Sequence, residues 1–149
     1  MGLSAVANAD DGLRSRMSLK GIRRLRVVVQ ELHDAPSDLS ADRLKDLIER
    51  RLKENGIEID ESGFAPFLSL RIETGRLEVG TYIYRTDLAL DRYVFLVGDP
   101  YFGDMPADTW SLGSFGTVRT GRRIREVVNV ALDRFLQAYL SVNPPRNNR

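Results

Sequence analysis

The chain has 149 residues, of which 42% are hydrophobic and 29% charged, and its formal net charge is +1. That length supports one domain with a proper core, and so balanced a charge gives no global field to draw the chain toward nucleic acid or anionic lipid. The sequence has no cysteine, which excludes disulfides, thiolate metal sites, thiol catalysis and thiol redox sensing.

Near the start, Ala7 and Ala9 stand in the A-x-A arrangement of a secretory cleavage site, followed by Asp10 and Asp11. The reading is a signal remnant ending near Ala9 and a periplasmic or secreted mature chain. A cytoplasmic chain with a small-residue tail is the alternative. No run approaches the ~20 apolar residues of a membrane span. Residues 1–18 are expected to be a disordered arm or that remnant, residues 19–143 a single domain, and residues 144–149 a polar tail.

The first strand is expected over residues 22–32, where Leu25, Val27 and Val29 alternate with Arg24, Arg26 and Val28. A loop containing His33, Asp34 and Pro36 follows. Ser40 is a good N-cap for a helix from Ala41 to Glu54, with Asp42 in the first turn and an apolar stripe of Leu44, Leu47, Ile48 and Leu52. Asn55 and Gly56 stop it, and residues 57–59 form a short extended piece.

A strand over residues 67–73 places Leu68, Leu70 and Ile72 on one face. Gly75 and Arg76 read as a hairpin turn into a strand over residues 77–90, with Tyr82, Tyr84, Thr86, Leu88 and Leu90 on one face and Ile83 on the other. Asp91 and Arg92 read as a turn into residues 93–97. Residues 98–118 are rich in glycine, proline and aromatics, and they read as a long loop interrupted by a short strand at residues 110–112. The last helix runs from Gly121 to Val142, with Ile124, Val127, Val128, Ala131, Phe135, Ala138 and Tyr139 at helical spacing and Pro144 and Pro145 beyond its end. The pattern predicts an α+β domain: a single, mainly antiparallel sheet of four to five strands with two helices packed on one face.

No spacing marks a catalytic centre, a metal site or a cofactor, so none is expected. His33 beside Asp34 reads as a surface-loop pair. Asp99, Asp104 and Asp108 read as turn carboxylates, without the spacing of a calcium loop. Arg119, Arg122, Arg123 and Arg125 gather at the start of the last helix, where free N–H groups and guanidinium forks suit an anion or an acidic partner. Pairing with Asp104, Asp108 or Glu126 is the structural alternative for those arginines. Tyr101, Phe102, Trp110 and Phe115 are a candidate ligand groove or a satellite core. Tyr82 and Tyr84 resemble a base-stacking platform only in residue type.

Residues 22–29, Ile-Arg-Arg-Leu-Arg-Val-Val-Val, and the helix ending at residues 51–57, Arg-Leu-Lys-Glu-Asn-Gly-Ile, resemble the strand–helix opening of exported bacterial envelope domains. The N-terminal domain of Tol-system propeller proteins is one such domain. Residues 133–144, with Thr109 and Trp110, are similar to small uncharacterised periplasmic proteins. The resemblance implies a non-enzymatic interaction or accessory role in the cell envelope, with another envelope protein as partner and a homodimer as a further expectation. Two other readings stand beside it: a small-anion or small-ligand-binding domain, and a nucleic-acid-binding α+β domain, although nucleic acid is not the expected partner.

Overall fold

A computed structural model describes residues 12–99 and 105–145. In chain order the elements are α1 (Leu13–Met17), β1 (Arg24–Val29), α2 (Ala41–Glu54), β2 (Glu58–Ile59), β3 (Phe67–Glu78), β4 (Thr81–Val94), β5 (Met105–Val118) and α3 (Gly121–Val142). The strands form one sheet in the order β2-β1-β3-β4-β5. β1 runs parallel to β2 and to β3, while β3, β4 and β5 pair antiparallel. The antiparallel ladders are much the longer, so the protein is α+β with a mainly antiparallel sheet.

Strand alternation decides which face is buried. Leu25 and Val27 of β1, Leu68, Leu70 and Ile72 of β3, Leu88 and Leu90 of β4, and Trp110 and Leu112 of β5 enter one core. α2 contributes Leu44, Ile48 and Leu52 to that core, and α3 contributes Ile124, Val128, Leu132, Phe135 and Leu136. Both long helices therefore cover the same face of the sheet. Burying each such side chain contributes about 1.5–3 kcal/mol. Trp110 meets Phe135 edge-on at 5.2 Å between ring centroids.

Several elements differ from the sequence expectation. β1 stops short of residues 22–32: the Ile22 carbonyl accepts the Tyr139 hydroxyl at 2.9 Å instead of joining a ladder. Within the expected loose arm, α1 is helical and packs against α3 and β5, with Ser15 buried. Gly75 and Arg76 are not a turn. β3 continues through them, and the chain reverses at Val79 and Gly80, where Gly80 supplies a φ of 77°. Asp91 and Arg92 are not a turn either. They lie within β4 beside a β-bulge, with Asp91 accepting from the Ser69 hydroxyl at 2.6 Å and Arg92 donating to the Ser18 carbonyl at 2.8 Å.

The largest difference is β5. A fourteen-residue strand occupies most of the segment that reads as a loop. Its glycines are not turn residues but sites of close approach. A Cβ on Gly113 would lie 2.7 Å from Asp87 Oδ1, and one on Gly116 would lie 3.2 Å from the Tyr84 ring.

α3 is anchored at both ends. At its start the Gly121 and Arg122 N–H groups donate to Oδ1 and Oδ2 of Asp38, at 2.9 and 3.0 Å. These bonds, that of Gly121 foremost, hold the Asp38 carboxyl below its ordinary value of 3.8 against the opposing effect of desolvation. At its end the Asn143 side chain accepts from the Gly21 N–H at 2.7 Å and donates to the Leu19 carbonyl at 2.9 Å.

Removing the Asp38 carboxylate leaves two helix N–H groups without their acceptors. Asp38→Ala is expected to lower unfolding stability by roughly 0.5–2 kcal/mol, the usual worth of a cap. Because the folded-state value is depressed, this contribution is present above pH 3.8 and lost as the pH falls through the lowered folded value. Urea titrations of parent and variant across the acid range check both points: the gap should be full near neutrality and close in acid.

Candidate functional site

α3 lies over β4 and β5, and the sheet beneath its first half is built from small residues. Ser114 and Gly116 stand opposite Thr86 and Tyr84, so little side-chain volume rises to meet the helix. The result is an open groove of about 790 Å³ between α3 and β5. Its apolar floor includes Tyr84, Leu112, Val127 and Ala131, and hydroxyls of Thr81, Ser114, Thr117 and Thr120 line it. Arg119, Arg123, Arg134 and one carboxylate, Glu126, also line it. Apolar surface beside a few convergent polar groups is the general character of a binding site.

The four predicted arginines do not act as one cluster. Arg119 and Arg123 line the groove. Arg123 Nη1 donates to Glu126 Oε2 at 2.7 Å, and Arg122 Nε lies 3.4 Å from Glu126 Oε1, outside the groove. The hydrogen bond from Arg123, then the positive charge of Arg123 and Arg122, keeps the Glu126 carboxyl below its ordinary value of 4.5. Arg125 is on the Asp38 side of the helix, and its buried Nε has no acceptor among the described residues. The free N–H groups expected to welcome an external anion are already bonded to Asp38. Arg119 and Arg134 have no hydrogen-bond or ion-pair partner among the described residues. Arg134 is a groove residue that the sequence reading missed. Its spacing from Arg123, Val127 and Val130 along one helical face was the available signal.

Of the four predicted aromatic residues, the two described ones lie on opposite faces of β5. Trp110 is in the core, whereas Phe115 is half exposed on the opposite face of β5. Tyr101 and Phe102 lie outside the described residues. Tyr84 is buried beneath α3, so it makes no stacking platform with Tyr82, whose ring sits 5.7 Å from the Arg76 guanidinium. His33 is exposed, and its backbone carbonyl accepts from Thr74 Oγ1 at 2.6 Å.

The open face of the sheet carries a second polar group that the sequence reading divided between two turns. Asp91 and Asp108 are cross-strand partners, and Arg71 Nη2 donates to Asp108 Oδ2 at 3.1 Å. Burial, then the facing Asp108 carboxyl, pushes Asp91 up to about 6, while the Ser69 hydroxyl and Arg71 act in the opposite direction.

No family model and no curated protein sequence matches the chain. Among solved structures it is similar to a minor lipoprotein from Acinetobacter baumannii, at 12% identity and a TM-score of 0.36, over 79% of this chain and 87% of that one. At that score the likeness bears on neither mechanism nor role. The expected likeness to the Tol-system domain is not shown.

Asp91 titrates near 3.8 when unfolded and near 6 when folded, so between those values the folded chain holds a proton that the unfolded chain has lost. Its contribution is therefore present at low pH and lost as the pH rises through about 6. Asp91→Asn, which keeps a neutral side chain at all pH values, is expected to remove this fall. Thermal unfolding between about pH 4 and 7 checks it; an identical slope in parent and variant would place the titration on another group.

Proposed function

We propose that the chain is a non-catalytic interaction module of the bacterial cell envelope, with the α3–β5 groove as its binding surface. The observation that carries this reading is the pairing of an apolar floor with Arg119 and Arg134, two cations that have no internal partner among the described residues. An uncompensated guanidinium beside apolar surface is suited to a ligand that has both an apolar body and an anionic group.

The hydrogen bond and charge of Arg123, with the charge of Arg122, hold the Glu126 carboxyl below its ordinary value. The A-x-A arrangement of Ala7 and Ala9 supports a periplasmic location. A partner protein of the envelope is the reading most consistent with that address.

The groove is tested with a simple amphipathic anion, dodecanoate, followed through backbone amide shifts. The expected result is saturable shifts at Leu112–Val118 and along the Arg123–Arg134 stretch. Inorganic phosphate at equal concentration should produce none. Arg119→Ala/Arg134→Ala, two exposed substitutions, should weaken dodecanoate roughly tenfold or more, since hydrogen bonds to charged groups are worth about 1.5–3 kcal/mol each. Shifts confined to other surfaces, or undiminished affinity in the double variant, would reject the groove as the binding surface.

A further inference from the structure

We infer that the occupant of this groove is an extended acidic segment of another protein, added to β5 as a sixth strand. The inference rests on the groove being the binding surface and specifies what fills it. Four observations lead to it.

The first is position. β5 is an edge strand that pairs only with β4 among the described residues. The groove is bounded by that edge strand on one side and by α3 on the other. An edge strand exposes a row of unpaired N–H and C=O groups, and a groove between a strand edge and a helix gives an incoming strand both backbone partners and a surface for alternate side chains.

The second is where the edge is guarded. Natural edges are blunted with proline, charge or a covering element. The start of β5 has all three: Pro106, Asp108 and the segment after α1, where Ser18 Oγ donates to the Thr109 carbonyl at 3.1 Å. From residue 109 to residue 118 there is no proline and no charged residue. The unguarded part of the strand is the part that lines the groove.

The third is length. From the start of α3 to Arg134 the helix rises roughly 20 Å. An extended chain covers that in about six residues, a short recognition segment.

The fourth is charge. Arg119 at the strand end of the groove and Arg134 at the far end are the unpartnered cations. Two acidic residues about six positions apart on one face of a strand match them. The same charges disfavour a second copy. A two-fold β5–β5 pairing meets the same patch on both subunits, so it would bring the two arginine-lined rims together.

The probe is a capped eight-residue peptide of alternating valine and threonine with glutamates six positions apart, carrying a fluorophore. Anisotropy titration is expected to show saturable binding to the full chain. Amide exchange at residues 111–118 should slow when the peptide is present. Methylating alternate backbone nitrogens of the peptide, on its pairing edge, should abolish binding. Replacing both glutamates by glutamine, or using Arg119→Ala/Arg134→Ala, should weaken it roughly tenfold or more. If the peptide fails to bind, or both N-methylated registers bind as tightly as the parent peptide, while dodecanoate still shifts the groove amides, strand addition is overturned and the groove reading stands. If neither probe reaches the groove, both fall. A stable β5-mediated dimer in sedimentation that the peptide does not disperse overturns the inference in favour of a second copy.

Discussion

The position of α3 is fixed by side chains that arrive from segments remote in sequence. Asp38, from the loop before α2, accepts the first two helix N–H groups, and Asn143, just past the helix end, reaches back to Gly21 and Leu19 before β1. Between these anchors, Phe135 presses on Trp110 and the Tyr139 hydroxyl binds the Ile22 carbonyl. Along its first half α3 turns Ile124 and Val128 into the core, while Arg123 and Val127 lie on the flank toward β5. The groove lies along that flank.

The anchoring also decides what the basic helix start can do. Arginines at a helix N-terminus oppose the macrodipole, at a cost of typically 0.3–1 kcal/mol each. Asp38 offsets that cost from inside the fold, and Glu126 engages Arg122 and Arg123 on the helix surface. Of the arginines on the groove, the side chains of Arg119 and Arg134 have no partner among the described residues. The opposite face of the sheet behaves differently. There Arg71 meets Asp108 and Arg85 meets Asp87, so its charge is largely spent within the fold, and the strained Asp91–Asp108 pair is a stability term on the far side of the sheet.

The helices and the buried face were legible in the sequence. The stripe of Leu44, Ile48 and Leu52 with Ser40 as its cap defines α2, and Ser40 does accept from the Arg43 N–H, at 3.4 Å. The alternation of Leu68, Leu70 and Ile72 marks the buried face of β3. Turns were less legible, because a polar or glycine residue in a strand looks like one in a turn until its cross-strand partner is known. Asp91 is tolerated in β4 by the Ser69 hydroxyl, which donates to it from β3, twenty-two positions away in sequence. Asp38 as the cap of α3 was invisible for the same reason: the interacting groups are 83 residues apart.

β5 carries both the hardest reading and one wall of the groove, and its small residues contribute to both. Gly113, Ser114 and Gly116 deprive the segment of the period-two apolar signal that identifies a strand. In the folded protein those residues admit Asp87 on one face and the Tyr84 ring on the other. Ser114, on the face toward α3, adds only a small side chain to the wall of the groove. A bulky residue at Gly113 or Gly116 would restore the strand signal but collide with Asp87 or the Tyr84 ring. A segment whose small residues look like a loop is therefore, in this fold, a strand whose glycines make room for cross-strand neighbours.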